Sequence, residues 1–279
     1  TNRNEDLIHW DQPAAHIRGE VIDQATTHML ECGLERRRRI LKRDSETVSR
    51  VGDLYGTLRA AFFTPEDLEI VCGSPEQRRR FLDMAVAQTR PGYVRLLQRY
   101  RKIVRQRNQV LRSNRGANGP PIDSLLHVWD VSLSELGAEI VAARKDAIQK
   151  LALAFQKHYR ELAEEGATSL DYPTRSEGDT LDELTQSIRE QLDRARQRDL
   201  DRGTTTVGPH REDLSITLEE RAIAVFGSQG QRRTAALALR LAESQMLAQE
   251  SGEPPVLLVD DVLYEMDKER RRRFWDRMP

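Results

Sequence analysis

Apolar and polar positions change their period along the chain, and each change predicts a different kind of element. Between residues 15 and 63 the stretches "AHIRGEVI" and "THMLECGLE" alternate or cluster apolar residues, and "RRRRILK" and "LRAAFF" follow. With glycine-containing breaks between them, these read mostly as strands. At "GSPEQRRRFLDMAVAQ" the period becomes helical. Ser74 suits an N-cap, Pro75 the first helical position, and Gln77 completes a capping box. A second helix is predicted from Pro91. Its residues Tyr93, Leu96, Leu97, Tyr100, Ile103, Val104 and Leu111 recur at helical spacing and leave the arginines outside.

"SNRGANGPP" (113–121) reads as a flexible turn or linker. Another helix is expected to open at Ser132, with Glu135 three residues on. Its stripe runs through Leu136, Ile140, Leu151, Phe155 and Leu162. After the polar segment "EGATSLDYPTRSEGD", Thr180 and Glu183 cap a further helix bearing Leu181, Leu184, Ile188 and Leu192, with Gly203 just beyond. Residues 74–202 therefore read as a helical insertion between two strand-bearing segments, 1–73 and 203–279.

In the last segment Leu214, Ile216 and Leu218 alternate, "EE" makes a turn, and "AIAVF" runs back. Next come "GSQGQRRT", a helix from Thr234 to Gln249, the loop "ESGEPP" and the strand "VLLVDD". A covering helix followed by a continuously apolar strand predicts a parallel sheet in an α/β fold, with Val256 to Val259 buried on both faces.

Composition narrows the class. The chain has 279 residues, room for one large domain or two joined ones. Lys+Arg 44 against Asp+Glu 45 gives a net charge of -1, so any nucleic-acid contact must come from local patches. No apolar run approaches the roughly 18 residues of a membrane span, and the start lacks a signal-peptide pattern. The two cysteines, Cys32 and Cys72, show no CxxC spacing and fit a reducing cytosol, so a cytoplasmic protein is expected. Because the first residue is Thr1, the chain reads as a fragment or as the ordered part of something longer.

Candidate chemistry gathers in the last third. Asp260 and Asp261 stand at the carboxyl end of an apolar strand, where ligands collect in open α/β sheets. Two like charges there are unfavourable unless something positive is bound. Mg²⁺ carried with a nucleotide fits, with Asp260 toward the metal and Asp261 orienting or deprotonating an attacking water. The plainer reading is a strand end followed by a solvated turn. In "FGSQGQRRT", Gly227 and Gly230 free the backbone where a helix starts, which makes an anion site with Ser228 and Gln231 as hydrogen-bonding side chains. The plainer reading makes Ser228 an N-cap. What favours the nucleotide is the order: glycine loop, helix, short loop, apolar strand, paired carboxylates.

That order resembles the signature motif, helix and Walker B of ABC-type ATPases. With "TTTVGPHREDL" (204–214), "GSQGQRRTAALALRLAE" (227–243), "LLVDDVLYEMD" (257–267) and "FFTPEDLEIVCGSPEQRRRFLD" (62–83), the chain resembles the RecF family over nearly its whole length. The resemblance implies a Rad50-type ATPase head of mixed sheets and helices with an inserted α-helical arm. It implies ATP and Mg²⁺ as cofactors and an ATP-dependent homodimer around two nucleotides. It also implies binding of DNA at gaps and junctions, action with RecR and RecO in loading RecA, and slow DNA-dependent ATP hydrolysis by the complete protein.

By the same resemblance Ser228, Gly230 and Gln231 would touch the γ-phosphate of ATP held by the partner subunit. Asp260 would serve Mg²⁺ and Asp261 would be the hydrolytic carboxylate. "TPEDL" (64–68) stands at the usual place of the Q-loop. Tyr264 and Asp267 would make a D-loop dimer contact, although the loop usually begins with a small residue and here reads "YEMD". No G-x-x-x-x-G-K-[ST] occurs among the 279 residues, so the Walker A loop is expected to precede residue 1 and this chain alone to be inactive.

Two alternatives remain. One is a catalytically silent fragment that binds DNA or RecR. The other is a different Rad50/SMC-like head, which would need long heptad runs at the insertion. "ERRRRILKR" (35–43) puts Arg36, Arg37, Arg38 and Arg39 on an apparent strand, alternating between faces. These are candidate DNA contacts, or a solvated sheet face. "RRR" at 78–80 and "RRRR" at 270–273 read as helical and ion-paired or solvated. His210 reads as a hydrogen-bonded turn residue that could also approach a nucleotide or DNA.

Overall fold

A computed structural model of the protein describes residues 4–22, 26–115, 120–163, 166–262 and 268–275. The first strands form an antiparallel meander of β1 (Ala14–Ile22), β2 (Thr27–Glu35), β3 (Arg39–Arg43) and β4 (Glu46–Val48), in that spatial order. Asp44 and Ser45 turn β3 into β4 with positive φ at both positions, the twist a two-residue hairpin needs. The strand reading of this region holds.

β5 (Ala60–Phe63) leaves the meander and pairs in parallel with β9 (Val256–Val259), Ala60 opposite Val256 and Phe63 opposite Val259. The parallel pairing is as expected, but burial on both faces is not. Val256, Leu258 and Phe62 are exposed on one face, while Ala61 and Phe63 are fully buried on the other. The covered face lies under α7 (Gln229–Ser251) and α8 (Lys268–Trp275), with Phe63 and Phe274 edge to face at 5.3 Å. The pair is covered from one side only, so continuous apolarity along β9 does not become two-sided burial.

The helices follow as α1 (Leu68–Cys72), α2 (Pro75–Thr89), α3 (Tyr93–Ser113), α4 (Pro120–Ala163) and α5 (Leu181–Arg202). The Ser74 and Thr180 capping boxes both form, the latter with Glu183. No helix starts at Ser132; α4 runs through it as a single helix of 44 residues. The turns before Ser132 bury Ile122 and Leu126 against Leu111 and Leu200, and this packing carries the helix through an internal capping signal. The expected stripe of Leu136, Ile140, Leu151, Phe155 and Leu162 is buried. Each such side chain contributes about 1.5–3 kcal/mol.

Two further corrections concern strands. The polar segment after α4 contains β6 (Thr168–Asp171), which pairs antiparallel with β7 (Ser215–Leu218). With only four residues and one buried leucine, Leu170, it carries too little pattern to be read. The turn at Glu219–Glu220 is as expected, but only Arg221–Ala222 run back as β8 before the chain coils into α6 (Ile223–Phe226).

α4 is the central helix, flanked by α3, α5 and α7. Two buried ionic networks tie it to its neighbours and to the loop of residues 203–214. Arg107 bonds Asp130 and Asp199, each at 2.7 Å, and Thr205 at 3.1 Å. Arg144 grips Asp83 and donates to the Pro209 carbonyl at 2.7 Å, while Tyr172 joins Arg144 to Glu212. Among the described residues no helix is long and apolar enough to cross a membrane.

Candidate functional site

The glycine loop becomes the start of α7. Ser228 is the N-cap: its Oγ accepts from the Gln231 N–H at 3.2 Å, and Gln231 Oε1 accepts from the Ser228 N–H at 2.7 Å. The Thr234 hydroxyl closes the first turn on the Gly230 carbonyl at 2.9 Å. Gly227 is required because a Cβ there would lie 2.6 Å from the Ile223 carbonyl oxygen. The N-cap reading of Ser228 is therefore what the geometry shows. The bonds still leave the Ser228 O–H and the Gln231 Nε2 as donors. The N–H groups of Gln229 and Gly230 have no intrahelical acceptor, and this end of the helix faces solvent.

At the far end of β9 the Asp260 N–H donates to the Phe63 carbonyl at 2.8 Å, extending the parallel ladder by one rung. Asp261 then turns away with φ 49, a left-handed conformation that aspartate tolerates. Both carboxylates are exposed. Across the ladder the chain leaves β5 in a capped turn, where the Thr64 N–H donates to Asp67 Oδ2 at 2.9 Å.

Asp67, which the sequence marked only as part of "TPEDL", joins α7 to this turn. Arg240 reaches its Oδ1 from Nε at 2.9 Å and from Nη2 at 2.6 Å, and bonds Glu243 from Nη1 at 2.7 Å. Both acids are buried, and burial raises the Glu243 carboxyl above its usual range despite Arg240 beside it. Arg240 also lies over the Phe81 ring. With Thr64, Glu66, Gln77 and Phe62, these groups line a cavity of about 820 Å³. The available signal was a charged pair, Arg240 and Glu243, inside the mostly apolar helical run "LALRLAESQM".

Arg240 ties the turn after β5 to α7 at a point about 18 Å along the axis from Ser228, at 1.5 Å per residue. The signature turn opens α7, and the paired aspartates follow β9 on the strand side.

The arginine run requires a correction. Arg36 and Arg37 form the tip of the β2–β3 hairpin, closed by the Glu35 and Arg38 backbones at 2.8 and 3.3 Å, and only Arg39 lies in a strand. The alternation of faces therefore does not apply; the hairpin turn places the run at one exposed end of the sheet. The "RRR" at 78–80 is partly paired: Arg78 bonds Asp213 at 2.7 Å and Arg79 donates to the Glu212 carbonyl at 2.9 Å. His210 is the hydrogen-bonded turn residue expected, with Nδ1 2.8 Å from the Tyr100 hydroxyl and Nε2 3.3 Å from the Thr205 carbonyl. Burial lowers its pKa to about 4. Tyr264 and Asp267 lie outside the described residues.

Comparison with known proteins bears on the family. No protein-family model matches the chain. The DNA replication and repair protein RecF of Halothermothrix orenii is 38% identical over 286 aligned positions, which cover 100% of this chain and 75% of that protein. The chain belongs to the RecF family. The RecF of Clostridium perfringens (strain SM101) is 34% identical over 273 positions, covering 98% of this chain and 74% of the relative. The solved structure of the recombination mediator protein RecF-ATP in the RecFOR pathway matches with a TM-score of 0.86 at 30% identity, over 98% of this chain and 74% of that one. The fold is accordingly the mixed α/β head with helical arm of RecF proteins, and the general role is DNA replication and repair.

Proposed function

We propose that this chain works as the ATPase-head portion of a RecF-type repair protein that binds DNA at gaps and junctions in an ATP-dependent way. In this reading two copies close around two nucleotides, hydrolyse ATP slowly, and act in the cytoplasm with RecR and RecO to assist RecA loading. The observation that carries it is that Ser228 opens α7, while the residue of α7 tied to the turn after β5, Arg240, lies about 18 Å further along the axis. Asp260 would hold Mg²⁺, which would neutralise charge at the phosphates of one nucleotide, and the Ser228 turn of the partner would meet that nucleotide's γ-phosphate.

The donor set fits a hard cation. Asp260 and Asp261 are adjacent, exposed oxygen ligands, and among the described residues no cluster of three or more His, Cys, Asp or Glu forms a closed metal cage. Mg²⁺ held by one or two carboxylates and completed by waters and phosphates matches that set, and when bound it supplies charge neutralisation at the phosphates. An Asp261 carboxylate oxygen orients the attacking water and accepts its proton. In the partner, the Ser228 O–H, the Gly230 N–H and Gln231 Nε2 donate toward the γ-phosphate at the positive end of α7. Because the capping box uses only Ser228 Oγ and Gln231 Oε1 as acceptors, capping and phosphate donation are compatible. Arg36 to Arg39 contribute phosphate contacts from the hairpin tip, and Tyr264 and Asp267 a dimer contact.

The deciding experiment measures ATP-dependent dimerisation by light scattering, in a chain spanning the relatives' full length, for the wild type and Ser228→Arg. The dimer is expected to be lost in the variant. Dimerisation unaffected by the substitution would refute the trans role.

A further inference from the structure

α3 carries seven basic residues and no Asp or Glu along its 21 positions. Its exposed side presents Arg99, Lys102, Arg105 and Arg112, with Gln98 and Gln109 between them. Two other exposed arginines on the helix have carboxylates nearby: Arg95 is 2.7 Å from Asp53, and Arg101 is 3.9 Å from Asp83. No ion pair forms at Arg99, Lys102, Arg105 or Arg112 among the described residues.

α5 shows the contrasting arrangement. It carries five arginines to the six of α3, yet Arg194 pairs with Glu190 at 2.8 Å and Arg196 with Asp193 at 2.5 Å and Asp123 at 3.0 Å. Like charges three and four residues apart cost a helix about 0.2–0.5 kcal/mol per pair. α3 accumulates several such pairs in a chain whose charges balance, 44 basic against 45 acidic. An arrangement that is unfavourable in the free protein becomes favourable against a polyanion.

The shape of the row selects the polyanion. Arg99 to Arg112 span about 20 Å along the axis at 1.5 Å per residue, a row that winds around one exposed side of the helix. Both tyrosines of α3, Tyr93 and Tyr100, are buried, so the exposed face has no ring on which an unstacked base could lie. Guanidinium and amide donors without aromatics suit phosphate oxygens on a duplex backbone.

We propose that the acid-free face of α3 is a phosphate-binding ridge for duplex DNA, in which Arg99, Lys102 and Arg105 hold the backbone without reading sequence. This deepens the DNA-binding reading above and rests on it. The surface is separate from the arginine hairpin and from the candidate nucleotide residues.

The test titrates, with ATP present, a chain spanning the relatives' full length, as wild type and as Arg99→Ala/Lys102→Ala/Arg105→Ala, with a fluorescent duplex between 50 and 200 mM salt, and in parallel with polyglutamate. Alanine favours helix, so α3 is retained, as circular dichroism checks. The triple variant is expected to show a log–log salt slope shallower by about 2.7, or about 0.9 per lost contact. Over that fourfold salt range the wild type then loses about 40-fold more affinity than the variant. Arg194→Ala on α5 keeps the wild-type slope. If the wild type binds duplex and the triple variant keeps its slope, the α3 assignment is overturned while the DNA-binding reading stands. A wild type that fails to bind duplex at 50 mM overturns both. Preference of this face for polyglutamate over duplex makes the partner an acidic protein and overturns the duplex assignment.

Discussion

Arg240 holds the Asp67 carboxylate with two hydrogen bonds, 2.9 Å from Nε and 2.6 Å from Nη2, across 173 residues of sequence. The bond fixes the turn that leaves β5 to the middle of α7. Replacing Arg240 by Met leaves Asp67 and Glu243 buried without their cation. Removing one partner of a buried pair costs about 3–5 kcal/mol. Urea unfolding of Arg240→Met checks this, and a loss below about 1 kcal/mol contradicts it.

Arg107 plays the matching role inside the arm, where it is fully buried between Asp130 and Asp199. Arg107→Met is expected to destabilise by a similar 3–5 kcal/mol. Arg107→Lys rescues little, because one ammonium cannot reproduce a guanidinium that reaches two carboxylates and Thr205 at once. Equal stability of the Lys variant and the wild type would show the fork geometry to be unimportant.

His210 predicts a pH dependence. Its pKa falls from about 6.5 in the unfolded chain to about 4 in the folded one, chiefly through burial. The unfolded state then binds more protons between these values, so the His210 contribution is complete above pH 6.5 and is lost as pH falls toward 4. The window amounts to about 3 kcal/mol. His158, also lowered by burial, acts in the same direction, so the informative quantity is the difference between wild type and His210→Gln. That difference should shrink from pH 7 to pH 4.5; a difference flat with pH would exclude a buried neutral His210.

Ser228 allows its two roles to be separated. Ser228→Ala removes the cap and should cost about 1 kcal/mol. Ser228→Asp is as good a cap and should keep wild-type melting, yet it sets a carboxylate where the γ-phosphate is proposed to lie. ATP-driven dimerisation should therefore disappear in Ser228→Asp at unchanged stability. A dimerising Ser228→Asp would reduce Ser228 to a helix cap.

Asp261→Asn keeps the size of the side chain and removes its basicity. ATP binding should be retained while hydrolysis in single-turnover assays slows by about 10²–10⁴, the range of a positioned base. Normal turnover would move the hydrolytic role elsewhere.

Much of this was legible from local pattern. The Ser74 and Thr180 capping boxes, the apolar stripe of α4, the turn at Glu219–Glu220 and the helix after the glycine loop each depend on neighbours within a few positions. The failures have a common cause. Ser132 carries a valid capping signal that packing of Ile122 and Leu126 overrides. β6 holds together through cross-strand partners in β7, 48 residues away at Ser169 and Thr217. Arg36 and Arg37 alternate in sequence but sit at a hairpin tip, because the register of β2 on β3 places the turn there.

The order of the motifs and the chemistry of their side chains are properties of the sequence alone: a glycine loop, a helix, an apolar strand and two carboxylates. Placement in space is not. The Asp67–Arg240 pair and the one-sided cover over β5 and β9 follow from how α7 packs on the strands. Hydrophobic period encodes which face of an element is apolar, but the partner that buries the face, and the charges trapped beside it, are chosen only when distant segments meet.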